Sequence, residues 1–168
     1  EIYSEVAHQI NKLLSRMIIL YPGNGDVLGP PTVFANPINN NEADYYTNTD
    51  ERAVAQWVYK NNKHAGATTN TLPGAKCLYL AIRNQNMVFC VVGIVMEKDK
   101  TLGAFEKNLL IAMLGECALA LEKDYITETK NQVEMEAQRE QLRSNLLRAI
   151  SHDLRTPLTS ISGNAGIL

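Results

Sequence analysis

The sequence has little of what marks an extreme class of protein. Its three cysteines, Cys77, Cys90 and Cys117, are odd in number, widely spaced and never in a C-x-x-C pair. That excludes a disulfide framework and a zinc ribbon, and it predicts a reducing setting with all three thiols as small apolar core residues. The histidines His8, His64 and His152 are too scattered to assemble a metal set. Charge of neither sign dominates: a net charge of -2 gives no electrostatic footing for a nucleic-acid surface. Long hydrophobic runs are absent as well. The most apolar stretch, residues 87–96, is too short to span a bilayer and reads as a buried strand. With no signal-peptide pattern, any membrane part is expected to lie outside these residues. Glu1 in place of a methionine, and Leu168 inside an apolar pattern, read as the cut ends of a longer protein.

What is present is an ordinary core: 168 residues with 45% hydrophobic content suffice for about one domain and a remainder. Ile2, Val6, Ile10, Leu13 and Leu14 recur at helical spacing, so the chain opens with an amphipathic helix. Residues 17–21 read as a strand closed by the turn Pro22-Gly23-Asn24-Gly25. Residues 27–36 hold a second strand interrupted by Pro30-Pro31, and residues 36–50 read as a polar loop. Thr49 or Asp50 is placed to cap a helix with Ala53, Val54, Trp57 and Val58 on its apolar side. Residues 61–74 form a second polar stretch. Then residues 77–83 and 87–96 flank Asn84-Gln85-Asn86, the clearest hairpin in the chain.

From about Leu102 the pattern is helical, with no breaker before Pro157. Leu109, Met113, Cys117 and Ala120 give the first part a core-facing stripe. After Leu121 charged residues dominate up to Arg143. Ile126 and Val133 share one heptad position, and Met135, Leu142 and Ala149 share another that is out of step with it. This reads as a helical linker that pairs with a copy of itself across a local phase shift, or else as a solvated single helix. The fold class is α+β: a mostly antiparallel sheet flanked by helices, ending in one long helix.

The final stretch carries the chemistry. Leu147, Ile150, Leu154, Leu158, Ile161, Ala165 and Leu168 step by three and four into one apolar stripe, and His152 points well away from it. Thr156 lies one turn beyond, on the same side as His152. An imidazole in water is substantially neutral near pH 7, with one nitrogen free to act as a nucleophile. Asp153 is placed to accept from the other nitrogen or to take the proton released on attack. Pro157 removes a backbone donor at a cost of roughly 3 kcal/mol in a helix interior, so a bend just past the histidine is expected. By pattern alone, a surface helix with an incidental histidine stands as the alternative.

Ser151-His152-Asp153-Leu154-Arg155-Thr156-Pro157-Leu158 closely resembles the H-box of two-component sensor histidine kinases. The resemblance implies a dimerisation and phosphotransfer helix with His152 as phospho-acceptor, Asp153 as acid–base partner and Thr156 serving dephosphorylation of the response regulator. A second resemblance spans roughly residues 50–168. Trp57-Val58-Tyr59-Lys60-Asn61-Asn62, then Ala65-Gly66-Ala67-Thr68-Thr69-Asn70-Thr71-Leu72-Pro73-Gly74-Ala75 and the Leu78-Tyr79-Leu80 strand, look like the KdpD potassium-responsive sensor kinases. There a GAF domain precedes the H-box through a long helix. The implied organisation is a GAF-like domain over 1–121, a helical linker over 122–143 and a truncated dimerisation and phospho-acceptor domain over 144–168.

The resemblance also implies a homodimer through the C-terminal helix, a KdpE-like response regulator as partner, and a membrane-anchored parent of which this is a cytoplasmic portion. ATP and Mg belong to a domain whose Gly-rich lid and Asn-box are absent from this sequence, so no cofactor is expected on the chain itself and it should not phosphorylate itself. GAF domains often hold small ligands, and Trp57, Thr69, Thr71 and Tyr79 are the candidate lining, with residues 61–74 as lid. In the alternative, Trp57 is core and the Thr-rich loop a plain connection. No cysteine is followed by histidine, so bilin attachment has no support. The competing function classes are a non-enzymatic ligand-binding or dimerising adaptor and a GAF-containing transcription regulator.

Overall fold

The computed structural model describes residues 2–35, 40–98 and 100–167, and side chains for all of these except 40, 41 and 158–167. The chain divides into two compact units, Glu1–Lys123 and Asp124–Leu168. The elements are α1 (Ile2–Leu14), β1 (Ile18–Asn24), β2 (Val27–Leu28), β3 (Thr32–Phe34), α2 (Asn40–Tyr46), α3 (Thr49–Asn61), β4 (Ala65–Gly66), β5 (Cys77–Arg83), β6 (Val88–Val95) and α4 (Ala104–Ile167). Among the described residues no helix is long and apolar enough to cross a membrane.

The first unit is built on an antiparallel sheet in the order β2-β1-β6-β5-β4, with β3 also on β1. Its centre is the expected hairpin, in which β5 and β6 pair from Cys77↔Val95 to Arg83↔Val88. Asn84 makes the turn: its Oδ1 accepts from the amides of Asn86 and Met87, each at 2.8 Å. Because β6 lies between β1 and β5 and is covered on both faces, its sequence is apolar throughout rather than alternating.

Alternation along the strands sorts the side chains into two cores. Ile18, Leu20, Leu78, Leu80, Ile82, Val92 and Ile94 face one way and pack with Val6, Ile10 and Leu14 of α1 and Leu110, Leu114 and Leu121 of α4. Ile19, Tyr21, Cys77, Tyr79, Val91 and Val95 face the other way and pack with Ala55 and Val58 of α3. All three cysteines are free and buried, as expected of core thiols.

Several expectations are corrected. β1 does not close at Pro22-Gly23 but runs to Asn24, and the turn falls at Gly25, whose φ is 64°. Proline is tolerated there because its carbonyl, accepting from Gly29 N–H at 2.7 Å, is the group the ladder needs. The polar stretch 36–50 contains the short helix α2 over its described part. α3 is capped by Asn48, one residue before the expected cap, with its side chain accepting from the Glu51 amide at 3.0 Å. Ala53 is exposed, while Ala55 and Val58 form the buried face. The inward stripe of α4 is Leu110, Leu114, Cys117, Ala118 and Leu121; Leu109 and Met113 are half-buried beside it and Ala120 is exposed.

Candidate functional site

Two places gather polar side chains suited to chemistry, one in each unit. On the helix of the second unit, His152 and Asp153 stand in solvent with side chains 79% and 86% exposed, Nδ1 lying 3.9 Å from Asp153 Oδ1. Residues i and i+1 stand about 100° apart around a helix, so the two side chains approach only loosely, through Nδ1 of the ring. Thr156 Oγ1 donates to the His152 carbonyl at 3.2 Å, a back-bond over one turn. This position precedes Pro157, which brings no N–H to the ladder. The apolar residues of the same segment are also uncovered in the single chain: Leu147, Ile150 and Leu154 are each more than half exposed. Leu158, Ile161, Ala165 and Leu168, which complete the expected stripe, have side chains outside the described residues.

The second place lies under α3. Glu51 is 3% exposed, yet its carboxylate is fully engaged. Oε1 accepts from the Lys76 amide at 2.8 Å and Oε2 from the Tyr79 hydroxyl at 2.6 Å. Burial, then the Cys77 and Glu51 neighbours, pushes the Tyr79 phenol far above its usual range. Burial, with Glu51 next, pushes the Cys77 thiol up to about 12. Tyr21 is likewise raised to about 12, mainly by burial, and among the described residues its hydroxyl is a buried polar atom without a partner. A cross-strand pair sets Tyr79 opposite Gly93, and its ring fills the space a side chain would take there: a Cβ on Gly93 would stand 2.7 Å from Tyr79 Cε1.

The four candidate pocket residues therefore part company. Trp57 and Tyr79 meet in the same core. Thr69 and Thr71 are engaged within their own loop: Thr69 Oγ1 donates toward the carbonyls of Gly66 and Thr71 at 2.7 and 2.8 Å, and Thr71 O accepts from Gly66 N–H at 2.8 Å. Glu51 is the polar residue that sequence reading missed. Its signal was ambiguous, since Asn48-x-x-Glu51 has the form of a capping box whose glutamate turns back to the cap. Here Asn48 keeps its half of that bargain and Glu51 turns inward. No group of three or more His, Cys, Asp or Glu among the described residues could hold a metal ion.

Comparison with known proteins adds three findings. The family model of the His Kinase A (phospho-acceptor) domain matches residues 142–168. The chain is 33% identical over its full length to the sensor protein KdpD of Clostridium acetobutylicum, and 37% identical over 69% of its length to the sensor protein KdpD of Escherichia coli. It spans 19% and 13% of those two proteins. Among solved structures, the GAF domain of the potassium sensor histidine kinase KdpD from Escherichia coli matches with a TM-score of 0.56, covering 73% of this chain and 80% of that one at 22% identity. A GAF domain/HD domain protein from Geobacter sulfurreducens matches with a TM-score of 0.55 over 74% and 92% of the two chains, at 11% identity. The first unit thus has the GAF fold, and along its whole length the chain is homologous to one segment of the KdpD sensor proteins, its residues 142–168 matching the His Kinase A (phospho-acceptor) domain.

Proposed function

We propose that His152 is the phospho-acceptor of a protein histidine kinase, and that the GAF domain before it passes a signal along α4. The observation that carries this reading is an imidazole in water beside a carboxylate, inside the segment that matches the phospho-acceptor family. Nε2 attacks the γ-phosphorus of ATP. The N–P bond forms, the bridging P–O bond breaks, ADP leaves, and the Nδ1 proton is given up toward Asp153. In the return half, the phosphoryl group passes to an aspartate of a response regulator of the KdpE type, and Thr156, one turn from the ring, helps orient the water that later removes it. That last role requires its hydroxyl to leave the His152 carbonyl.

ATP and Mg are bound by a separate domain, so this chain alone is inactive and carries only the acceptor. The uncovered apolar residues Leu147, Ile150 and Leu154 support a homodimer through this helix. By relation to the KdpD proteins, the parent responds to potassium and this portion is cytoplasmic, the anchor lying elsewhere. The engaged state of Glu51, Tyr79, Thr69 and Thr71 favours a relay of packing changes over capture of a ligand beneath the 61–74 loop.

The test adds a separately purified kinase ATP domain and labelled ATP to a version of the chain extended to complete the dimerisation hairpin. Acid-labile label is expected on the parent and absent from His152→Ala. Label that persists in the variant contradicts the assignment.

A further inference from the structure

The sheet of the first unit ends on an incomplete edge. β4 is only two residues long and pairs Ala65 with Tyr79 and Gly66 with Leu78. From Leu80 to Arg83 no described strand lies on the outer side of β5. Backbone groups in an antiparallel ladder turn alternately to the two neighbours. Ala67 N–H reaches the Cys77 carbonyl at 2.9 Å, and Ala65 pairs with Tyr79, so Cys77, Tyr79 and, by the same alternation, Ala81 turn theirs away from β6. At Ala81 they meet no strand.

Beside that gap lies a groove of about 250 Å³, with Ala81, Ile111 and Leu114 among its apolar lining and Lys63, His64 and Arg83 among its polar lining. No carboxylate lines it, and among the described residues none of these three basic side chains has an acidic partner. Ile111 is 56% exposed although it borders a core helix face. The unpaired backbone of Ala81 and the apolar side chains beside it offer the two elements of recognition by strand addition, main-chain hydrogen bonds for affinity and pockets for alternate side chains for specificity. Lys63 and Arg83 add positive charge at the rim.

We infer that this edge docks an acidic segment of another protein, taken in extended form as an added strand against Ala81, with its carboxylates toward Lys63 and Arg83. A bare anion satisfies the rim but leaves the strand edge and the apolar trough unused, so the peptide is the better occupant.

The probe is a fluorescein-labelled peptide of alternating glutamate and valine, about seven residues long, an ordinary strand length, added to the 168-residue chain. Saturable anisotropy is expected, together with slowed hydrogen exchange at the Ala81 amide. Lys63→Glu and Arg83→Glu should each weaken binding roughly tenfold or more, as reversal of a contacting charge does. The same peptide N-methylated at alternate backbone nitrogens should weaken by a similar factor, since it keeps the charge and loses the ladder bonds. The inference is overturned by absence of saturable binding, in which case the cations merely blunt a bare edge. It is equally overturned if inorganic phosphate displaces the peptide at comparable concentration, if the N-methylated peptide binds equally well, or if Ala81 exchange is unchanged.

Discussion

Each unit of the molecule sets a carboxylate beside an ionisable ring, in opposite surroundings. Glu51 and Tyr79 meet at 2.6 Å with both residues buried. His152 and Asp153 approach only to 3.9 Å, with side chains 79% and 86% exposed. The tighter pair is the less accessible one. Burial raises the cost of moving its proton and gives each carboxylate oxygen a fixed donor, so the pair becomes part of the core. The looser pair keeps a ring nitrogen open to a reactant, at the expense of contributing almost nothing to folding. Access, rather than proximity, separates an acid–base site from a structural hydrogen bond.

The sharpest way to break this contrast is Glu51→Ala. It leaves the Tyr79 hydroxyl and the Lys76 amide without acceptors under α3, an expected loss of about 2–6 kcal/mol at about 1–3 per orphaned donor. Urea unfolding followed through Trp57, the single tryptophan and a member of the first unit, reads that unit alone. An unmoved midpoint would mean the buried pair is not structural.

Alkaline titration comes next in size. The Cys77 thiol is raised from 9.0 to about 12 and the Tyr21 phenol from 10.0 to about 12, burial being the main cause of each. Both groups are neutral when protonated and hold the proton more tightly in the fold than in the open chain. Their stabilisation is therefore complete below about pH 9 and is lost as pH rises through the interval to about 12, by an amount on the order of a few kcal/mol. The urea midpoint should fall across that window, and Cys77→Ala should flatten the fall. A third and smaller effect is Gly93→Ala, whose new methyl meets the Tyr79 ring at 2.7 Å. Overpacking of this kind costs about 1–3 kcal/mol, and a midpoint that stays put would show that the ring has room to retreat.

What the sequence made legible divides along the same line. The β5–β6 hairpin and the His152 stretch are local patterns, each written in fewer than twenty consecutive residues, and both were readable. Glu51 was not, because its partners Lys76 and Tyr79 lie 25 and 28 residues away and its local spacing suggested a cap instead. The α4 stripe was drawn through Leu109, Met113, Cys117 and Ala120, whereas packing uses Leu110, Leu114, Cys117 and Leu121. A helix apolar on more than one side leaves its inward face to be chosen by what it packs against, which no window of the sequence contains. α2 was read as loop because Asn41, Glu42, Asp44 and their neighbours carry no apolar period; its Tyr45 is held instead by Lys76, whose Nζ sits 3.4 Å over the ring.

The smallest expected effect is the most discriminating for the exposed end. Thr156→Val keeps the β-branched shape and removes the hydroxyl that now bonds the His152 carbonyl at 3.2 Å. On a solvated helix surface such a bond is exchanged for water, so helicity should be unchanged and stability altered by less than about 0.5 kcal/mol. Phosphorylation of His152 in the extended chain should persist, because neither ring nitrogen contacts Thr156 in the described geometry, while dephosphorylation of the partner regulator should slow. A loss of helicity together with phosphorylation would instead make Thr156 a brace for the turn ahead of Pro157, and the exposed pair would then depend on local structure as the buried one does.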